Sequence, residues 1–289
     1  GQITGASDGL SINVTWNDVS RPTQRVITVS GSGANGCSGT ATYTVMVYPN
    51  PVLTIGGDVD VCSSEQQNYN VRDANSTGIP SYTWTVEGGQ ITGATNGEMI
   101  NVLWDVVTVP TQRELTVTGS GANGCTGTAT YTVMVYPNPV LSISGDVDVC
   151  SGEEFNYEVL DANNTGITSY NWTVAGGQII GASDGLTVSV KWDVVTSPTQ
   201  REITVAGVGA NGCTGTATYT VMVYPNPALT IGGDADVCSD EQVNYTVTDA
   251  NGTGITSYTW TISGGQIIGA SDGPTVSVKW DVVTSPTQR

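Results

Sequence analysis

The sequence has no histidine, one phenylalanine, and only eight lysines and arginines against 26 aspartates and glutamates. Without histidine there is no imidazole general base, no imidazole zinc ligand and no central member of a Ser-His-Asp triad. The cation shortage and a formal charge of −18 exclude nucleic acid and anionic membrane surfaces as partners, because both need clustered Lys and Arg. No apolar run approaches the roughly 20 residues that cross a bilayer, so membrane insertion is not expected. No charged-then-apolar leader opens the chain. Multivalent cations, or cationic and neutral surfaces, are the partners left. Apolar residues are not scarce: at 38% they suffice for packed domains.

What is present is a repeat. The second glycine of "GGQI" falls at Gly89, Gly177 and Gly265, steps of 88 residues, and the chain opens at the matching place with "GQI". "TQR" ends at Arg25, Arg113, Arg201 and Arg289, "NGC" at Cys37, Cys125 and Cys213, and "DVC" at Cys62, Cys150 and Cys238. No insertion or deletion breaks the register. The "YPNP" tetrapeptides at Tyr48–Pro51, Tyr136–Pro139 and Tyr224–Pro227 are short, stiff, extended connectors and set the boundaries. Residues 51–138 and 139–226 are then complete domains. Residues 1–50 are the C-terminal part of one domain and 227–289 the N-terminal part of another. Beginning and ending in mid-domain, the chain is expected to be a segment of a longer array.

Each unit reads as all-β. Period-two alternation appears in "QNYNV", "SYTWTV", "MINVLW", "ELTVT" and "ATYTVMVY", separated by clusters of Gly, Asn, Asp and Pro. About seven short strands in about 90 residues is the rhythm of an immunoglobulin-like sandwich, with Trp84 in the place of its buried tryptophan. Trp84, Trp104, Trp172, Trp192 and Trp260 occupy the apolar phase of their strands and are read as core.

The order "CS(G)E…Y.V…SY.WTV.GGQI.G…V.W…T.TV…GANGC.GTATYTV.VYPNP" resembles the polycystic-kidney-disease-like (PKD-like), immunoglobulin-like tandem repeats of large secreted surface proteins of Bacteroidota. The resemblance spans every repeat. It implies β-sandwich stalks with adhesive or spacer roles, and it brings no catalytic residues. The repeats here are nearly copies of one another, which suits a uniform fibre better than diversified binding modules.

Six cysteines in an acidic, glycine-rich all-β chain suggest an oxidising, extracellular setting. No CxxC is present, and two cysteines per repeat without histidine make a poor zinc site. Nothing around "DVDVCS" activates a thiol. Crosslinking remains. Eleven extended residues from Pro51 carry Cys62 roughly 35 Å, the length of a sandwich, while Cys125 lies near the other end. A disulfide needs Cα atoms within about 7 Å. That favours Cys62 with Cys213 of the following domain. If the chain instead folds back at Gly56–Gly57, through a bulge or sheet switch, the pairs are Cys62–Cys125 and Cys150–Cys213. Both pairings stay open at this point.

Acidic residues recur in phase: Asp73, Asp161 and Asp249 in "DAN", Asp105, Asp193 and Asp281 after the second Trp, and Asp58 and Asp60, Asp146 and Asp148, and Asp234 and Asp236 in the first loop, the last six being the candidate calcium ligands. The competing reading is a wet strand face protecting an edge. No other cofactor is expected. Paired carboxylates in every bead with no implied pocket argue against a glycosidase, and an enzyme is not expected. The sequons at Asn13, Asn75, Asn163, Asn171, Asn244 and Asn251 matter only in a host that glycosylates them. The expected function is structural: a segment of an extracellular fibre or cell-surface adhesin stalk, with self-assembly into a filament as one version of it. The alternative is a multivalent glycan- or protein-binding adhesion module.

Overall fold

The computed structural model describes residues 1–284; the fourth Thr-Gln-Arg, ending at Arg289, and the last part of the 227–289 piece lie outside the described residues. The described chain holds twenty-four strands. Residues 1–50 carry β1 (Gln2–Thr4), β2 (Asn13–Thr15), β3 (Thr23–Ser32) and β4 (Ser38–Val47). The repeat from Pro51 carries β5 (Leu53–Gly56), β6 (Asp60–Cys62), β7 (Gln66–Asp73), β8 (Tyr82–Val86), β9 (Gly89–Thr92), β10 (Met99–Trp104), β11 (Thr111–Ser120) and β12 (Thr126–Tyr136). The next carries β13 (Leu141–Ser144), β14 (Asp148–Cys150), β15 (Glu154–Asp161), β16 (Ser169–Ala175), β17 (Gly177–Ile180), β18 (Thr187–Trp192), β19 (Thr199–Val208) and β20 (Thr214–Tyr224). Residues from Pro227 carry β21 (Leu229–Gly232), β22 (Gln242–Asp249), β23 (Gly265–Ile268) and β24 (Thr275–Trp280).

Two compact units contain these strands: Gly1–Pro139 with Gly209–Thr214, and Val140–Val208 with the described residues from Gly215 on. In the first unit the repeat from Pro51 is a sandwich of two four-stranded sheets, ordered β5-β7-β10-β9 and β6-β12-β11-β8. In the second unit the equivalent sheets are β13-β15-β18-β17 and β14-β20-β19-β16, followed by one sheet of order β21-β22-β24-β23. This is tandem immunoglobulin-like architecture. Each full repeat has eight strands, the expected runs plus a "GQI" edge strand and a first strand split in two.

The split follows from Gly56–Gly57. β5 pairs antiparallel with β7 in one sheet, and β6 pairs parallel with β12 in the other, with Val61 opposite Val135 and Cys62 opposite Tyr136. The sheet switch therefore occurs, but the chain does not fold back; it keeps its direction across the sandwich. At Gly57 the backbone lies against the ring of Tyr69, where a Cβ would overlap the ring carbons, and Gly145 stands in the same relation to Tyr157. Two tyrosines then fasten the crossover: Tyr131 donates its hydroxyl proton to the Gly57 carbonyl at 2.6 Å, and Tyr69 donates to the Asp58 carbonyl at 3.1 Å.

Strand alternation builds the core. Along β10, Ile100, Val102 and Trp104 face inward, and Leu115, Val117, Val133 and Val135 of β11 and β12 close over them with no exposed surface. Tyr69 meets Trp104 edge-on with ring centroids 6.0 Å apart, and Tyr157 meets Trp192 in the same way at 6.2 Å. In the second unit the Trp192 indole N–H donates to the Tyr157 hydroxyl at 3.1 Å. Burial pushes the phenol pKa of Tyr69, like that of Tyr157, up to about 12. Trp84, Trp104, Trp172 and Trp192 are buried, whereas Trp260 is only half-buried. Trp84 lies on β8, beside β11 in the same sheet, whereas among the described residues from Pro227 onward the equivalent segment around Trp260 is in no strand and only the one sheet β21-β22-β24-β23 is present.

The crossover yields a stability prediction. Gly145→Ala forces a methyl group into the Tyr157 ring and should lower the unfolding free energy by about 1–3 kcal/mol, the usual cost of overpacking. Urea denaturation of the two proteins measures it, and an unchanged midpoint would show that the close approach is not needed.

Candidate functional site

The polar ties of the fold gather where one repeat ends and the next begins. β12 ends at Tyr136, and the parallel pairing sets Cys62 beside that exit. Cys125 opens the other end of the same strand, eleven residues away, or about 35 Å at strand rise. A bond between the two cysteines of one repeat is ruled out by that length. Cys62 is bonded to Cys213, which sits in the turn between β19 and β20, with Cα atoms 5.6 Å apart and a sequence separation of 151. Cys125 and Cys150, the other members of the alternative pairing, carry free thiols, as do Cys37 and Cys238. In the chain-entropy picture, closing a loop this long stabilises the fold by about 5 kcal/mol.

The bonded cysteine is held by its neighbours. The Cys62 amide donates to Glu65 Oε2 at 2.8 Å, and the Glu65 amide returns a bond to the Cys62 carbonyl at 3.1 Å. The same clasp recurs in the second unit, where the Cys238 amide donates to Glu241 Oε2 at 2.7 Å. Ser63 is buried and acts as a hub. Its amide and hydroxyl both donate to the Tyr136 carbonyl, at 2.8 and 3.1 Å, its Oγ accepts the Val107 amide at 3.0 Å, and its carbonyl accepts the Asn138 side-chain amide at 2.9 Å.

The Pro-Asn-Pro connector is tied on both sides. In the second unit Asn226 donates Nδ2 to the Ser151 carbonyl of the repeat behind it at 2.9 Å, and its own carbonyl accepts Asn251 Nδ2 from the residues ahead at 2.8 Å. In the first unit Asn75 Nδ2 donates to the Asn50 carbonyl at 2.8 Å. Prolines on either side give the chain fixed φ angles and no competing donors. Between Pro22, Pro49, Asn75, Thr77, Asn123 and Cys125 a crevice of about 110 Å³ remains, open to solvent.

The "DAN" aspartates are occupied by these connectors. Asp73 Oδ1 accepts the amides of Val52 at 3.0 Å and Asn75 at 3.1 Å, and Oδ2 accepts the Thr77 amide and hydroxyl at 2.7 and 2.8 Å. Asp161 and Asp249 make the same four bonds to their own repeats. With four donors on each carboxylate, these residues are backbone clamps. Burial alone would raise the Asp73 and Asp161 pKa values, but the bonds from Thr77 and Thr165 outweigh it and hold both carboxyls below the ordinary range. At Asp249 the Thr253 hydroxyl and amide bring the pKa down to about 2.

The remaining candidates are placed as follows. Asp60 and Asp148 open β6 and β14, and Asp58 and Asp146 lie on the crossovers before them. Among the described residues, no three acidic or cysteine side chains are gathered as a metal cage, Asp234 and Asp236 included. The tryptophans do not form an exposed sugar-stacking platform: Trp84 and Trp104 are 5% and 1% exposed. Ser63, Glu65 and the connector asparagines are the functional residues the sequence reading missed. The phase of Glu65, Glu153 and Glu241, three residues after each "DVC" cysteine, was a signal for the first of the two clasps.

The PKD-like domain family matches residues 136–223 and 224–288. No curated protein matches the chain. Among solved structures, the chain is similar to the I-band fragment I67–I69 of titin at 12% identity and a TM-score of 0.37, covering 82% of this chain and 90% of that one. It is similar to the fibronectin(III)-like modules of Clostridium thermocellum CbhA at 13% identity and a TM-score of 0.32, covering 60% and 94%. It also resembles the protocadherin gammaB7 EC3-6 cis-dimer structure at 11% identity and a TM-score of 0.27, covering 100% and 86%. At those scores nothing of the three proteins' roles carries over.

The clamps give a pH prediction. A depressed carboxyl pKa contributes stability that is fully present above the unfolded value, about 3.9, and is lost as pH falls through the folded value. For Asp249 that window runs from about pH 4 down to about 2. Melting temperatures measured across it should fall with acidification, and the slope should be shallower in Asp249→Asn. Equal slopes in the two proteins would remove the clamp from the account.

Proposed function

The chain belongs to the PKD-like domain family, and from that premise we propose that it is a covalently crosslinked structural segment of an extracellular fibre or cell-surface adhesin stalk. The observation that carries this reading is the Cys62–Cys213 bond, which joins the "DVC" of one repeat to the "NGC" of the next. Disulfides persist in oxidising compartments, so the bond supports secretion. The setting is a surface protein of the Bacteroidota type that the sequence resembles, with no catalytic role. The domain boundaries follow the connectors: 1–50, 51–138, 139–226 and 227–289.

Tension on such a segment does not run through every strand. Pulling on the chain before Cys62 passes the load across the sulfurs to Cys213, and all residues between are bypassed. From Cys213 the path follows β20, the Pro-Asn-Pro connector and β21 to Cys238, a stretch of 25 residues. The strands from β7 to β19 are bypassed, while β20, which carries the core residues Val221 and Val223, stays in the path.

Single-molecule extension by the chain ends tests this. With the disulfide intact the segment it bypasses, a sequence separation of 151, should not add length, and a thiol reductant should release on the order of 500 Å of extra contour, at about 3.6 Å per residue. The same contour before and after reduction would count against a crosslinked stalk.

A further inference from the structure

We infer that the strand edges at residues 126–132 and 214–220 are a lateral docking site for a second copy of this chain, which adds its own identical edge antiparallel, so that a sheet of one copy continues into a sheet of the other. The inference goes beyond the stalk reading and does not rest on the Cys62–Cys213 bond.

Both edges lie inside complete repeats. On one side β12 has β11 along it from Thr126 to Val135, but on the other β6 pairs only with Met134, Val135 and Tyr136. β20 is flanked in the same way, with β14 reaching only Met222, Val223 and Tyr224. The Met134 amide donates to the Val59 carbonyl at 2.7 Å, on the side away from β11. Bonding directions alternate along a strand, so Thr132, Thr130, Thr128 and Thr126 turn their amides and carbonyls the same way, past the end of β6. The Met222 amide repeats that bond to the Val147 carbonyl at 2.7 Å, which sets Thr220, Thr218, Thr216 and Thr214 in the same position. Among the described residues no strand pairs with either edge there.

An open edge is a template for another chain, and sequences usually block it with Lys, Pro, a bulge or an inward charge. The edge sequence "TGTATYT" holds no Lys, Pro or charge. It is a β-prone, uncharged run in a chain of formal charge −18, whose copies repel wherever their acidic surfaces meet. It is also kept between repeats. Residues 125–138 and 213–226 are identical, although Thr126, Thr128, Thr130 and Thr132 are exposed and take no part in the core. On the outward face of the other sheet the same two repeats differ: Gln66, Asn70 and Arg72 of β7 correspond to Glu154, Glu158 and Leu160 of β15, and Met99, Asn101 and Leu103 of β10 to Thr187, Ser189 and Lys191 of β18. The edge is self-complementary as well. Paired antiparallel about Ala129, Thr128 meets Thr130 and Thr126 meets Thr132; their open amides and carbonyls bond one another, and Thr lies against Thr on the exposed face. That symmetry fits a second copy of the chain as the occupant.

Amide hydrogen exchange of the full chain in dilute and in concentrated solution, resolved by residue with NMR, tests the docking. The amides of Thr126, Thr128, Thr130 and Thr132, and of Thr214, Thr216, Thr218 and Thr220, should exchange about tenfold more slowly when concentrated, with sedimentation showing association. Thr128→Pro combined with Thr216→Pro removes donors that no strand of the single chain uses, and should abolish the protection while Cys62–Cys213 still forms. Thr130→Glu combined with Thr218→Glu keeps every backbone donor and should abolish it through like charges across the pairing. Exchange at these amides that is independent of concentration, association whose protection falls elsewhere, or either folded variant protected like the parent each overturn the inference. None of these results alters the contour released by reduction, so the stalk reading stands or falls by the extension measurement.

Discussion

Everything at the ends of these repeats depends on one backbone event: a strand leaves its sheet at Gly56–Gly57 and joins the opposite sheet without turning round. Had it reversed, Cys62 would lie near the turn that bears Cys125, and each repeat could close its own staple. Because the direction is kept, β6 runs parallel to β12 and delivers Cys62 to the exit beside Tyr136. Parallel neighbours must enter from the same end, so a first strand paired with the last strand always finishes where the chain departs. The tyrosines that hold the crossover belong to both sheets, Tyr69 to β7 and Tyr131 to β12, so the crossover is part of the core rather than a loop over it.

The connector shows a different balance of forces. Strongly acidic beads repel one another, and a flexible hinge between them would let that repulsion set the geometry. Here polar bonds set it instead. Asn226 is bonded behind and ahead, and Asp249 fixes the first backbone amide after the second proline through Ala228 at 2.8 Å. Such ties are local and repeat with the sequence, so they can be copied without redesign from one bead to the next.

Much of the fold was legible because alternation and turn chemistry have short range. The runs containing Tyr69, Trp84, Ile100, Leu115 and Val133 became β7, β8, β10, β11 and β12, and the tryptophan core of the full repeats follows from the same period. The edge strand at Gly89–Thr92 was missed because two glycines and a glutamine carry no strand pattern; its pairing with β10 makes it a strand. The split of the first strand was seen only as an option, since glycine permits both a reversal and a crossing, and the choice rests on the distant Tyr69 and Tyr131. The role of the "DAN" aspartates is hidden for a related reason. A carboxylate amid Asn and Thr looks the same in sequence whether its donors are a cation or four nearby N–H and O–H groups, and here the donors come from 21 residues back as well as from the adjacent turn. Ser63 was invisible because a buried serine differs from a surface one only by its environment.

The two cysteines of a repeat sit at opposite ends of β12, and that placement makes each repeat a coupler with two faces. Its "NGC" can bond only backward along the chain and its "DVC" only forward, as Cys213 and Cys62 do between them. Such a design tolerates change in most loops, but not in two spans: from the second connector proline to "DVC", and from "NGC" to the first. A single residue added to either would turn a side chain to the other face of its strand and aim the sulfur away from its partner. Those spans, Pro51 to Cys62 and Cys125 to Pro137, are where the strict 88-residue register does physical work.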